Sequence, residues 1–251
     1  MQKKRADRIL FEQNLAESQD VAARLIMAGR VFLEAVGRDG RTREERVDKP
    51  GRMLRAEAAL FVRDREPYVS RGAYKLLTAL ERFRLEVAGL VALDAGASTG
   101  GFTDLLLQRG AARVYAVDVG HNQLHEKLRA DSRVISLEST NLRLAGPELL
   151  PESVDLVVAD VSFISLKAVL PACLQFLKPG GAVIALIKPQ FEAAAGKTVK
   201  GVVRDPAARQ AAVDSVLGFA EGELGLGLQG VIPAAIKGPK GNQEFLAYWR
   251  A

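Results

Sequence analysis

The chain has 251 residues, 48% of them hydrophobic, enough to bury one full-sized core with a small accessory domain beside it. Its apolar runs, such as Gly181 to Ile187 and Val154 to Val158, fall short of the roughly 20 residues a bilayer requires, and no apolar segment follows the basic start Met-Gln-Lys-Lys-Arg, so neither a membrane span nor an export signal is expected. A single cysteine, Cys173, excludes an intramolecular disulfide and fits a reducing, cytoplasmic setting, and the net charge of +5 is lopsided: through Lys75 there are 17 Lys and Arg against 12 Asp and Glu, and 18 against 18 thereafter. A basic segment joined to a neutral body is the electrostatic footing for a polyanion, because phosphate neutralisation by Lys and Arg drives nucleic-acid affinity.

In chain order, Arg5 to Asn14 carries Ile9 and Leu10 in a helical setting, and Ser18 stands where an N-cap would open a second helix running to Met27 and stopped by Ala28-Gly29. Val31 to Leu33 reads as a strand, Arg38 to Arg46 as a charged loop, and Met53 to Val62 as further short strands. Residues 1–62 thus form a small α+β module. The polar run Arg63-Asp64-Arg65-Glu66-Pro67 marks a linker over 63–69, and a larger domain occupies 70–251.

In that larger domain apolar strands alternate with helical patterns, the sign of an α/β fold with a mostly parallel, Rossmann-like sheet. Strands are expected at Val91 to Asp94, Arg113 to Val119, Val134 to Leu137, Val154 to Asp160 and Ala182 to Lys188. Helices are expected at Gly101 to Arg109, Gln123 to Ala130, Leu166 to Leu177 and Pro206 to Glu223. Two final strands, Leu228 to Ala235 and Glu244 to Trp249, are separated by the loop Lys237 to Gln243, too short for a parallel crossover, so the last strand must be antiparallel.

The first strand of this domain ends in Asp94-Ala-Gly-Ala-Ser-Thr-Gly-Gly-Phe102, a glycine turn opening a helix, and the second ends at Asp118, where a carboxylate can accept from both hydroxyls of an adenosine ribose. Ser98 occupies the place of the second glycine of the dinucleotide fingerprint, so the turn is not built for a pyrophosphate. It suits S-adenosylmethionine, which carries no phosphate. The expected cofactor-binding set is Asp94, Gly96, Ser98, Thr99, Gly100, Gly101, Asp118, Asn141 and Asp160. Lys75, Asp160, Lys188 and Glu244 are expected at strand or helix ends on the same side, two cations and two anions converging on the crevice. The bland alternative for each is a solvated terminus, and for all four a structural ion network.

Three segments, Tyr68-Val-Ser-Arg-Gly-Ala-Tyr-Lys-Leu76, Asp94 to Thr103 and Lys188-Pro-Gln-Phe-Glu192, resemble the motifs of the hemolysin A/TlyA family of rRNA ribose methyltransferases, related to FtsJ-like enzymes. The resemblance runs over nearly the whole chain. It implies that the N-terminal module is an RNA-binding fold like that of ribosomal protein S-four, and that Lys75, Asp160, Lys188 and Glu244 form the catalytic tetrad of a 2′-O-methyltransferase acting on cytidine in ribosomal RNA or a ribosomal subunit. Ala73 stands where the pattern leads us to expect a second glycine, and the Arg38 to Arg46 loop is longer and more charged than usual.

Methyl transfer to a ribose hydroxyl requires alignment of oxygen, carbon and sulfur and a destination for the hydroxyl proton. Lys188 is the candidate base, with Asp160 and Glu244 orienting and Lys75 steadying a phosphate. No metal is required. His121 and His125, four apart on the expected helix, have no evident third ligand, and Ser162 and Ser165 have no histidine base, so neither pair argues for a metal site or a hydrolase. The basic loops Lys197 to Arg204 and Lys237 to Lys240 flank the crevice and are placed to grip RNA phosphates. Competing readings are a base methyltransferase, disfavoured because Asp160-Val-Ser-Phe163 lacks an Asn/Asp-Pro-Pro-aromatic pattern, a nucleotide-dependent oxidoreductase on the same sheet, a membrane-active hemolysin-like protein, and an RNA-binding scaffold with an inactive enzyme domain. The sequence leaves the oligomeric state open.

Overall fold

The structure, a computed structural model, describes residues 2–36, 42–63 and 66–251, and the chain divides into two compact units, Met1–Pro67 and Tyr68–Ala251. In the first unit the elements are β1 (Lys3–Arg5), α1 (Ala6–Glu12), α2 (Gln19–Met27), β2 (Val31–Val36), β3 (Thr42–Arg46), β4 (Met53–Arg55) and β5 (Leu60–Val62). Strands β3, β2 and β5 make an antiparallel sheet in that order, and β1 pairs with β4. Ser18 caps α2 by accepting from the Val21 amide at 3.2 Å, satisfying one of the helix's unpaired donors. Ala6, Ile9, Leu10, Ala22, Ile26 and Val31 bury themselves in a core belonging to this unit.

One expectation needs correction here. The charged loop expected at Arg38 to Arg46 is partly a strand: Thr42–Arg46 pairs with β2 from Val36↔Thr42 to Phe32↔Arg46. Charged side chains along an edge strand look like loop residues in sequence, yet they keep such an edge from pairing with other chains. Residues 38–41 of that segment, and Asp64 and Arg65 of the expected linker, lie outside the described residues.

The second unit is an α/β sandwich around a seven-stranded sheet. Its elements are α3 (Ala73–Phe83), β6 (Val91–Ala95), α4 (Gly101–Gln108), β7 (Arg113–Val117), α5 (Glu126–Arg129), β8 (Val134–Leu137), β9 (Val154–Ala159), α6 (Leu166–Leu174), β10 (Leu177–Ile187), α7 (Pro189–Glu192), α8 (Pro206–Gly222), β11 (Gly227–Pro233) and β12 (Phe245–Arg250). The strand order is β11-β12-β10-β9-β6-β7-β8. All pairs from β8 to β10 are parallel, while β12 slots between β10 and β11 and is antiparallel to both.

Alternate residues of the central strands feed two cores. Ala92, Val114, Leu156 and Ile184 pack with residues of α3 and α4, whereas Leu93, Tyr115, Val157 and Ala185 pack with residues of α6 and α8. The period of two along each strand, read against helices on both faces, is why these strands look continuously apolar in sequence. Cys173 is buried in the second of these cores, and burial pushes its thiol up to about 12, which makes it an inert packing residue.

Helix α3 was not among the expected helices, although Ala73, Leu76, Ala79 and Leu80 bury one stripe at helical spacing. The helix expected at Gln123 to Ala130 shrinks to the single turn of α5. His121 therefore lies outside it, and His125 is its N-cap, accepting from the Lys127 amide at 3.2 Å, so the two histidines do not share a helix face. Among the described residues, no helix is long and apolar enough to cross a membrane.

Candidate active site

Strands β6, β7, β9 and β10 run parallel and present their carboxyl ends along one edge, where open α/β sheets bind ligands. Asp118, Asp160 and Lys188 each lie one residue past their strands. Because β12 runs the other way, its leading residue meets the same edge: the register Ile187↔Phe245 sets Glu244 beside Lys188. Lys75 arrives from the buried stripe of α3.

These four side chains form an alternating ionic chain. Lys75 Nζ donates to Glu244 Oε2 at 2.7 Å and lies 3.8 Å from Asp160 Oδ2, while Lys188 Nζ lies 2.6 Å from Asp160 Oδ1. The last contact is an ion pair set off the hydrogen-bond angle, and Asp160 Oδ1 accepts no aligned hydrogen bond. Lys188 Nζ instead donates to Ser162 Oγ at 2.7 Å. Glu244 is fully buried, and Lys75 and Lys188 are 8% and 6% exposed. Each buried lysine faces a carboxylate, which offsets part of the cost of holding these groups away from water.

The surrounding loops pack closely on these side chains. Gly238 lies against the Glu244 carboxylate, where any side chain would collide with it. The buried Asn242 accepts from the Val203 amide at 3.2 Å and donates to the Gly201 carbonyl at 2.9 Å, tying the segment 197–204 to the segment 237–244. Both basic loops thereby reach the cleft, since Thr198, Gly201 and Lys240 line it.

The cleft has two connected compartments. One, of about 470 Å³, holds Lys75, Lys188, Gln190 and Glu244. The other, of about 370 Å³, holds Asp118, Gln123, Asn141 and Leu142. Gly96, Ser98, Asp160, Ser162 and Phe163 line both, so a ligand in the second compartment can present an atom to the first. Asp118 is pinned by backbone donors, Ser98 N to Oδ2 at 2.8 Å and Gly120 N to Oδ1 at 2.7 Å, and each oxygen retains a lone pair for a hydroxyl. Gly96, with φ +83, passes so near the Asp160 carbonyl that a Cβ would stand 3.0 Å from its oxygen, so β6 and β9 can close together here only with glycine.

Of the expected cofactor-binding residues, Gly96, Ser98, Asp118, Asn141 and Asp160 line the compartments, whereas Asp94, Thr99, Gly100 and Gly101 do not. The two later glycines answer to packing: a side chain at Gly100 would collide with Leu128 and Leu124, and one at Gly101 would meet Ser70 Oγ at 2.5 Å and Ala73 N at 3.0 Å. Thr99 is exposed, its carbonyl accepting from the His125 amide at 3.2 Å. Asp94 is fully buried. Its Oδ2 accepts from Thr103 N at 3.0 Å and Thr103 Oγ1 at 2.6 Å, while Oδ1 has no partner. Burial raises its carboxyl to about 7 against the Thr103 hydrogen bonds, with the charges of Asp160 and Asp118 adding to the rise.

Three residues of the cleft had no role in the sequence reading. Ser162 is the partner of Lys188, Gln190 donates through Nε2 to Glu244 Oε1 at 3.2 Å, and Phe163 stands 91% exposed with φ +63 beside Phe191, ring centroids 5.2 Å apart. Their signal was proximity in sequence: Ser162 and Phe163 follow Asp160, and Gln190 and Phe191 follow Lys188.

A mostly parallel seven-stranded sheet with one inserted antiparallel strand, bearing a glycine turn at its first carboxyl end, defines a Rossmann-like methyltransferase. The FtsJ-like methyltransferase family model matches residues 68–251, and the chain belongs to that family. It is 45% identical over 249 residues to the 16S/23S rRNA (cytidine-2′-O)-methyltransferase TlyA of Mycobacterium tuberculosis, covering 98% of this chain and 89% of the relative. It is 36% identical over 253 residues to Hemolysin A of Brachyspira hyodysenteriae, covering 98% and 99%. A solved structure described as a hemolysin, from Streptococcus thermophilus, superposes with a TM-score of 0.72 at 42% identity, covering all of this chain and 89% of that one. The resemblance to the hemolysin A/TlyA family read from the three motifs is borne out.

Proposed function

We propose that this protein transfers a methyl group from S-adenosylmethionine to the ribose 2′-hydroxyl of cytidine in ribosomal RNA, as free RNA or within a ribosomal subunit in the cytoplasm. The observation that carries this reading is the buried chain Glu244–Lys75–Asp160–Lys188 in a compartment opening onto a second, Asp118-lined one. The names of its TlyA relatives, rRNA (cytidine-2′-O)-methyltransferases, support the nucleoside and the RNA.

The residues fit the cofactor. Asp118 offers carboxylate oxygens to two ribose hydroxyls, Gly96, Ser98 and Asn141 line the same compartment, and the unpartnered Asp94 Oδ1 before the turn is a carboxylate oxygen lacking the counter-charge that an ammonium group would supply. When bound, S-adenosylmethionine supplies an electrophilic methyl group. Lys188 receives the hydroxyl proton: as a neutral amine it donates to Ser162 Oγ beside the Asp160 carboxylate, and its lone pair is left for the ribose oxygen. Asp160, held between both lysines, orients Lys188. Lys75, locked on Glu244, keeps a positive charge beside the ribose and its phosphate. The groups stand ready before substrate arrives, so little reorganisation accompanies the transfer.

The N-terminal unit, resembling the ribosomal-protein-S-four fold, supplies RNA affinity. It carries none of the four residues of the ionic chain, and its charges would contribute phosphate contacts. Mapping ribose methylation by mass in rRNA from cells with and without the protein tests the reading. A 2′-O-methylcytidine that disappears with the protein and returns with wild type but not with Lys188→Arg is the expected result. A base-methylated product, or no difference, overturns it. Protein beginning at Tyr68 is expected to keep cofactor affinity and to lose RNA affinity and its salt dependence.

A further inference from the structure

Gln190 presents a buried hydrogen-bond acceptor with nothing to accept. Its Nε2 donates to Glu244 Oε1 at 3.2 Å, and its Oε1 is shielded from solvent without a partner, although Gln190 lines the reaction compartment. The orientation of the amide is dictated by its neighbour: the opposite flip would set Oε1 against the Glu244 carboxylate, acceptor against acceptor. Glu244 is itself fixed by Lys75 at 2.7 Å. The orientation of the amide is therefore fixed, with an unpaired carbonyl on a residue that lines the cleft, and a buried acceptor left unpaired is disfavoured unless a ligand completes it.

We infer that Gln190 Oε1 recognises the exocyclic amine of the target cytosine and so sets the choice of cytidine over uridine. The inference rests on the ribose-methylation reading given above. An internal cytidine in RNA has only two strong hydrogen-bond donors, the 2′-hydroxyl and the 4-amino group, since its 3′ oxygen is esterified. The hydroxyl hydrogen is directed to Lys188, which leaves the amine for a second acceptor. The cleft suits a splayed-out base: Phe163 and Phe191 line the same compartment as Gln190, and single-stranded bases are held against aromatic rings and read along their polar edges. Uridine carries a carbonyl oxygen at that position, which would face Gln190 Oε1 as acceptor against acceptor. A site that hydrogen-bonds a substrate group discriminates against an analogue lacking it more sharply than an apolar pocket can.

The test measures kcat/KM for wild type and for Gln190→Met on ribosomal subunits lacking the modification, with cytidine or uridine at the methylated position. Wild type is expected to prefer cytidine by about a hundredfold. Gln190→Met, similar in length but without the carbonyl, is expected to slow on cytidine by about tenfold or more while its rate on uridine does not fall, so that the preference collapses. Comparing the two ratios cancels any effect of the base change on the RNA itself. A wild type that treats both substrates alike overturns the inference without any variant. So does a Gln190→Met that slows on both equally, which would assign Gln190 to holding Glu244. Failure of the underlying reading looks different: wild type would then leave no ribose methyl on the cytidine substrate.

Discussion

The two compartments of the cleft are built by opposite means. Around Asp118 the site is made of backbone: Ser98 and Gly120 amides hold the carboxylate, and Gly96 lets two strand ends approach. Around Lys188 it is made of long charged side chains from four elements far apart in sequence, with Lys75 and Glu244 separated by 169 residues. A backbone-built compartment tolerates the loss of one side chain, because the others remain pinned. The ionic chain does not: without Lys75 the buried Glu244, and without Asp160 the buried Lys188, is left with no ion-pair partner.

The largest expected effect tests the reaction side. Lys188→Arg keeps a cation but cannot offer a neutral amine, so the single-turnover rate is expected to fall by about a thousandfold with RNA and cofactor affinity near wild type. Substantial residual activity in the arginine variant would move proton removal elsewhere and leave Lys188 a positioning residue.

Lys75→Met is expected to cost about 3–5 kcal/mol of stability, because Glu244 is fully buried and loses its cation. The paired variant Lys75→Met with Glu244→Gln should recover much of that loss in denaturant unfolding. If the two changes merely add, the pair is not coupled and the two compartments differ less than the geometry implies.

Asp94 precedes the glycine turn of the backbone-built side and is expected to give that side its pH dependence. Its carboxyl titrates near 7 folded and near the ordinary value of 3.8 unfolded. Below the unfolded value both states are protonated; between the two values only the folded state keeps the proton, so stability falls as pH rises to about 7 and is level above it. Thermal unfolding of the cofactor-free protein between pH 5 and 8 should show a decline on the order of 2–3 kcal/mol that Asp94→Asn abolishes. A wild type and variant with parallel profiles would show that Asp94 ionises normally.

The smallest expected effect is on cofactor affinity. Asp118→Ala should weaken S-adenosylmethionine binding by about tenfold to a hundredfold in calorimetry, with thermal stability little changed. Unchanged affinity would remove Asp118 from the cofactor's ribose and place recognition in the turn alone.

How far the site could be read in advance follows the same division. Asp118, Asp160 and Lys188 were legible because each closes an apolar strand, and parallel strands direct their carboxyl ends to one edge. Glu244 was legible because a short loop forces an antiparallel return. The glycine turn misled in part: a Gly-Gly pair reads as a ligand cradle, yet Gly100 and Gly101 are small because Leu124, Leu128 and Ser70 press against them. That pressure comes from residues distant in sequence and has no local signature.

By itself the sequence determined the alternation of strands and helices, the basic N-terminal bias, the family motifs and the four charged residues at the sheet edge, because these depend on residue type and short-range period. Only the tertiary structure decided that β12 inserts between β10 and β11, that β3 is an ordered edge strand, and that Lys75 meets Glu244 while Lys188 meets Ser162. Those pairings, and the unpaired carbonyl of Gln190, depend on burial and on which long-range neighbours share a cavity, and both are set by packing.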